Sequence, residues 1–186
     1  EDNLLNISCH AQLWHWPFAE KLAAINAQWQ AKTVSINQGL RELDDKQTDL
    51  LLTYKCSPIQ GFSQQPLGTI KLVLCASKKQ LQRHALADFA YLAQNFGPAF
   101  EQISLRAFRQ KPRLQGICDN PILALATLNA QPVLSYLPEA LVSINTQLER
   151  LEHAKAQAIK QPIVAIYANN SPHKAHIQAL LASLKF

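Results

Sequence analysis

The sequence predicts an α/β protein built on a mostly parallel sheet. Short apolar runs alternate with amphipathic stretches along all 186 residues, the pattern of strand–helix units. One run, Asp49–Tyr54 (DLLLTY), is almost continuously apolar, as a strand buried on both faces is. Several amphipathic stretches open on Pro or on a capping side chain, which marks a helix start.

The elements follow in order. Leu4-Leu5-Asn6-Ile7 reads as a first strand. Pro17 opens a helix, because its missing N–H costs nothing in the first turn. Phe18, Leu22, Ile25 and Trp29 then fall on one helical face. Thr33–Ile36 is a strand rich in β-branched residues, and Leu40–Lys46 a short helix. After DLLLTY, Thr69–Ala76 (TIKLVLCA) is the next strand. Lys78-Lys79 and Arg83-His84 mark an exposed connection. Tyr91–Phe96 reads as a strand and Phe100–Arg109 as a helix. Leu114–Ile117 is a strand, and Asp119-Asn120-Pro121 starts a helix that carries Ile122, Leu125 and Leu128. Val133–Leu137 is a strand, and Pro138 opens a helix through Ile144. Ile163–Ala168 is the last strand. Ser171-Pro172 caps a final helix that buries Ile177, Leu180, Leu181 and Leu184.

Composition excludes several classes. The apolar share is 48% and the charged share 17%, too apolar for a disordered chain. The longest purely apolar runs span a few residues, as at Leu50–Leu52, against the roughly 20 a membrane helix needs. Four scattered cysteines, Cys9, Cys56, Cys75 and Cys118, form no CxxC pair. They argue against a zinc ribbon, a thioredoxin motif and an oxidised framework, so a reducing cytosol is expected. Phosphate-loop, dinucleotide-binding, zinc-protease and serine-hydrolase motifs are absent.

Candidate chemistry is sparse. His173 and His176 stand three apart on the last helix without a carboxylate or thiol to complete a metal site, and read as an exposed face. Arg106, Arg109, Lys111 and Arg113 read as a solvated helix end, given a net charge of only +5. Cys9 and Cys118 each follow a strand; they read as small buried hydrophobes before they read as a redox pair. His10, His15, Trp14 and Trp16 cluster after the first strand. They are either aromatics folded onto the surface or a ligand-facing rim, since open α/β sheets bind ligands at strand carboxyl ends. No nucleophile–base pair or metal set emerges, so the chain is not read as an enzyme; Asp49 reads as a turn residue and Asp119 as a cap.

The order of these motifs is distinctive. LLNISCHAQLWHW…AAINAQW, then LRELDDKQTDLLLTY, then GFSQQPLGTIKLVLCAS resembles the first half of the effector-binding domain of LysR-type transcriptional regulators. ICDNPILALATLNAQPVLSYLPEAL and PIVAIYANNSPHKAHIQALLASL are similar to its second half and tail. NFGPAFEQ and Leu13-Trp14 look closest to a subgroup that includes a repressor of the flagellar master operon. The chain departs from the family pattern in two places. Ser35–Asp49 is about one helical turn short, and Gln131 and Val133 stand where two glycines are usual.

The resemblance implies a periplasmic-binding-protein-like (type 2) α/β fold, with two subdomains joined by two crossing strands near Leu72–Ser77 and Ile163–Ala168. Subdomain I would span 1–76 and 164–186, and subdomain II 77–163. The family's N-terminal helix-turn-helix is not in this chain. A small effector would sit in the inter-subdomain cleft, touching His10, Gln12 and Tyr54 on one side and Asn95, Phe96, Asp119, Asn120 and Tyr136 on the other. None of these is Arg or Lys, and Lys55 is the nearest cation in sequence. That favours a small polar or aromatic molecule, with the N–H groups at Asn120 available to an anion or carbonyl. The resemblance further implies a cytoplasmic homodimer or homotetramer, with Pro17–Trp29 of one copy packed near Ile122–Leu128 of another. DNA would be touched only through the missing domain, with no membrane, cofactor or metal. A transporter's extracytoplasmic solute-binding protein shares the fold and is the alternative.

Overall fold

The first apolar run extends further than its pattern suggests: Leu5–His10 forms β1. In the computed structural model, which describes residues 4–15, 18–25, 27–97, 99–106, 108, 111–152 and 158–184, the chain divides into two units. One comprises Glu1–Thr69 and Pro162–Phe186, the other Ile70–Gln161.

In the first unit β1 pairs in parallel with β2 (Trp29–Val34) and with β3 (Leu50–Tyr54). β9 (Ile159–Ala168) runs antiparallel to β3. Every residue of β3 is buried, as its unbroken apolar run requires. Helices α1 (Phe18–Ala23), α2 (Ile36–Asp44) and α7 (Lys174–Ser183) complete the unit. The Ser35 hydroxyl caps α2 by accepting from Gln38 N at 3.2 Å. Leu43 on α2 packs with Val34, Leu51, Val164 and Ile166. Burying each such aliphatic side chain contributes about 2 kcal/mol. α7 buries Ile177, Leu180 and Leu181, as its periodicity foretells.

In the second unit β7 (Val133–Pro138) is buried along its whole length. It pairs antiparallel with β4 (Phe62–Ser77) and parallel with β5 (Ala90–Gln94). β6 (Leu114–Cys118) adds in parallel to β5, and β8 (Leu148–Arg150) antiparallel to β4. Helices α3 (Lys78–Leu81), α4 (Phe100–Leu105), α5 (Pro121–Ala130) and α6 (Glu139–Ile144) complete it. Val73, Leu92, Ala124, Leu128, Leu137 and Leu141 contribute to its core. β4 and β9 each run through both units.

The sheets are mixed rather than mostly parallel, because the crossing strands β4 and β9 enter antiparallel to β7 and β3. Trp29 departs furthest from its expected place. It opens β2 and stands 40% exposed instead of ending a helix. The first helix ends at Ala23, and the proposed opener Pro17 lies outside the described residues. Ile36 belongs to α2, not to the second strand, and α4 ends at Leu105, with Arg109 outside the described residues. The last helix begins at Lys174 with His173 in the cap position; Ser171 only accepts from His173 N at 3.2 Å.

Candidate functional site

Parallel strands present their carboxyl ends on one edge, where helix-bearing loops leave the sheet. In the first unit β1 ends at His10 and β3 at Tyr54. The two rings meet edge to face, 5.1 Å between centroids and 64° between planes, a geometry favoured by the aromatic quadrupole. A 3₁₀ turn, Ala11–His15, follows β1 and carries Gln12 inward. His10, Gln12 and Tyr54 are all essentially inaccessible to solvent. Gln12 N donates to His10 Nδ1 across a long 3.4 Å bond, so a neutral His10 holds its proton on Nε2. Burial, with the neighbouring Cys9, pushes the Tyr54 hydroxyl well above its usual range, so it stays a neutral donor–acceptor. Trp14 is partly exposed, and its indole N–H donates to Thr33 Oγ1 at 2.8 Å. Trp16 and the His15 side chain lie outside what is described.

In the second unit the carboxyl ends of β5, β6 and β7 carry the other candidates. Asn95 is exposed, and its Oδ1 accepts from Gly97 N at 3.2 Å. Gly97 has φ 102°, a conformation that glycine takes without strain. Phe96 is buried against Phe100 at 4.9 Å, and Phe100 against Tyr136 at 5.6 Å, both edge to face. Burial, then the nearby Tyr91, push the Tyr136 hydroxyl up to about 12.

Asp119 and Asn120 are exposed. The expected free N–H groups at Asn120 are not free. Its Oδ1 accepts from Ile122 N at 2.9 Å and from Leu123 N at 3.2 Å. The residue thus spends its acceptor on capping α5, which removes the anion-binding role expected of those two groups.

A polar network that the sequence reading missed lies beneath these ends. Gln94 Nε2 donates to Ser135 Oγ at 3.1 Å, and Ser135 Oγ donates to Leu92 O at 2.8 Å. Cys118 Sγ approaches Gln94 Oε1 at 3.8 Å, and Cys75 Sγ approaches Ser135 O at 3.3 Å. A Gln closing an otherwise apolar strand, as in AYLAQ, was the available signal.

Burial lifts the Cys9 thiol well above its usual range and the Cys75 thiol to about 12, which leaves both protonated and poorly nucleophilic. Among the described residues no three His, Cys, Asp or Glu gather as a metal site. Asp49 is structural, accepting from Asn6 N at 2.8 Å and Asn6 Nδ2 at 3.2 Å. A cavity of about 350 Å³ in the first unit, lined by Leu5, Ile25, His176 and Leu180, includes none of the candidate residues.

Two α/β units threaded by two crossing strands, with polar and aromatic side chains at their strand carboxyl ends, define a ligand-binding class of fold. The family model described as the LysR substrate binding domain matches residues 2–185, and the chain belongs to that family. Among similar proteins is the HTH-type transcriptional regulator HdfR of Escherichia coli O17:K52:H18, 25% identical over 197 residues and covering 96% of this chain. HdfR of Salmonella schwarzengrund is 26% identical over 189 residues, also covering 96%. The chain spans only 65% and 66% of the length of these two relatives. Both are named as regulators rather than enzymes.

Solved structures agree in fold. The apo regulatory domain of HypT from Salmonella typhimurium superposes with TM-score 0.79 at 13% identity, covering 99% of this chain and 96% of that one. The OxyR2 E204G regulatory domain of Vibrio vulnificus gives 0.77 at 12% identity, covering 97% and 93%. CbnR, a LysR family transcriptional regulator, gives 0.74 at 14%, covering 98% and 70%.

Proposed function

We propose that this chain is the effector-sensing regulatory part of a bacterial DNA-binding transcriptional regulator that works in the cytoplasm and self-associates. The observation that supports it most directly is the placing of His10 and Tyr54 at the carboxyl ends of parallel β1 and β3 in one unit, and of Phe96 just past β5 and Tyr136 in the last half of β7 in the other. Aromatic edges and neutral hydroxyls suit a small polar or aromatic molecule, held by stacking and a few hydrogen bonds. Gln12, Asn95, Asp119 and Asn120 complete the proposed contact set, with Asn120 limited to its Nδ2 by the capping bonds. Binding would bias the equilibrium between two arrangements of the regulator by its differential affinity for them, and DNA would be contacted by a segment outside this chain. The regulators named among its relatives favour this reading over a transporter's solute-binding protein.

Self-association has its own support. α5 is apolar around its circumference, so Ala124 and Leu128 fill the core while Ile122 and Leu123 face out, 73% and 56% exposed. A helix apolar on all sides is normally covered on all sides.

A thermal-shift screen of metabolites tests the effector. A compound at about 100 times its Kd adds about 2.7 kcal/mol to stability. The shift is expected to shrink in His10→Ala and Tyr136→Phe; a hit whose shift survives both changes contradicts the assigned site. Sedimentation tests the surface. Ile122→Lys is expected to give smaller species, and an unchanged profile counts against this face.

A further inference from the structure

The chain passes between the units twice, at Thr69–Ile70 in β4 and at the peptide bond of β9 between Gln161 and Pro162; at the second crossing, both flanking residues make bonds away from β9. Each of these residues grips a loop that carries candidate effector contacts. Gln161 Nε2 donates to Phe96 O at 2.6 Å, across 65 residues of sequence. Pro162 O accepts from Lys55 N at 2.9 Å, immediately after Tyr54. The first bond lies outside the sheet ladders, since β9 pairs with β3 while β5 pairs with β6 and β7. Gln161 and Phe96 are both buried, so water is not a ready substitute for the donor.

We propose that Gln161 is a positioning residue that couples the Phe96 loop to the Tyr54–Lys55 loop through the Gln161–Pro162 peptide. A shift of the Phe96 carbonyl pulls on the Gln161 side chain. The strand carries that pull one residue along, to the carbonyl that holds Lys55. The residue type fits the task. The position calls for a donor with reach, and Leu fills similar volume without one. An ionised Glu offers only acceptors to a carbonyl. The proposal rests on the effector reading for why these two loops matter, but the coupling itself is measurable without ligand.

Amide hydrogen exchange on the ligand-free 186-residue chain reads it. Gln161→Leu is expected to speed exchange about tenfold at Gly97 and also at Lys55, as fits the loss of one hydrogen bond to a buried carbonyl. Gln80→Leu is the matched control. Gln80 Nε2 donates to Asn129 O at 2.8 Å, the same chemistry elsewhere in the second unit. It should leave Lys55 unchanged once both variants are compared at equal global stability. Gln161→Glu gives a second comparison: both amides should slow toward wild type, after correction for intrinsic rates, as pH falls and the carboxyl regains a proton to donate. It also serves if Gln161→Leu fails to fold. Equal Lys55 exchange in the Gln161 and Gln80 variants overturns the coupling, whatever an effector screen yields.

Discussion

Replacing Gly39 with Ala sets two effects of known size against each other. Gly39 lies inside α2, where Ala is worth about 1 kcal/mol more than Gly in helix propensity. The added Cβ, however, points into the core. It collides with Leu51 Cδ1 and comes within 3.1 Å of Val34 Cγ2. Leu51 is fully buried and packs with Val34, Leu43, Val164 and Ile166, so it has no free volume to enter. Overpacking of this kind costs about 1–3 kcal/mol. The clash wins, and Gly39→Ala should destabilise by about 1 kcal/mol in urea titration. A double-mutant cycle separates the two effects. Once Leu51→Ala has removed the obstacle, adding Gly39→Ala should stabilise by about 1 kcal/mol, leaving the propensity gain alone. A stabilising Gly39→Ala in the wild-type background, or the same sign in both backgrounds, refutes the packing account.

Two more predictions concern titratable groups. Burial pushes the Glu42 carboxyl up. Hydrogen bonds from Lys32, Gln38 and Ser8, together with the Lys32 charge, outweigh it and hold the group below its ordinary value. Its stabilisation is therefore present above the unfolded pKa, near 4.5, and fades as pH falls through the lower folded value. Glu42→Gln should cost about 1–3 kcal/mol at neutral pH, with the gap from wild type closing in acid; a pH-independent gap in urea melts would contradict this. The thiols should differ in reactivity. Alkylation at mildly alkaline pH, read by mass spectrometry, should modify part-exposed Cys56 before buried Cys9 and Cys75, and early modification of Cys9 would contradict its burial.

The strands that pack on both faces were the legible ones. LLLTY and IVAIYA announce themselves because burial leaves no room for polar residues. Asn120-Pro121 announces α5 through the chemistry of its cap. Trp29 misled because Phe18, Leu22 and Ile25 happen to place it at helical spacing, while β2 follows no clean alternation, with burial running from exposed to buried along its length. The first half of β4 hid for a similar reason: Ser63-Gln64-Gln65-Pro66 is polar or helix-breaking and only partly buried. β8, three residues long, has no period to detect.

Among the candidate residues, His10, Tyr54 and Tyr136 came from the family resemblance; His10 and Tyr54 are the last residues of β1 and β3, and Tyr136 lies within β7. Gln161 and the Gln94–Ser135 pair were not legible, since each matters through a partner at least 41 residues away. Asn120 shows the limit of motif reading: the same side chain that marks a helix start occupies the N–H groups of Ile122 and Leu123.

Amide chemical-shift mapping of any compound found in the thermal screen tests the central claim most directly. The account predicts perturbations concentrated at the strand carboxyl ends, around His10–Gln12, Tyr54–Lys55, Asn95–Gly97 and Tyr136. Perturbations centred instead on Leu5, Ile25, His176 and Leu180, the lining of the separate apolar cavity, would contradict it.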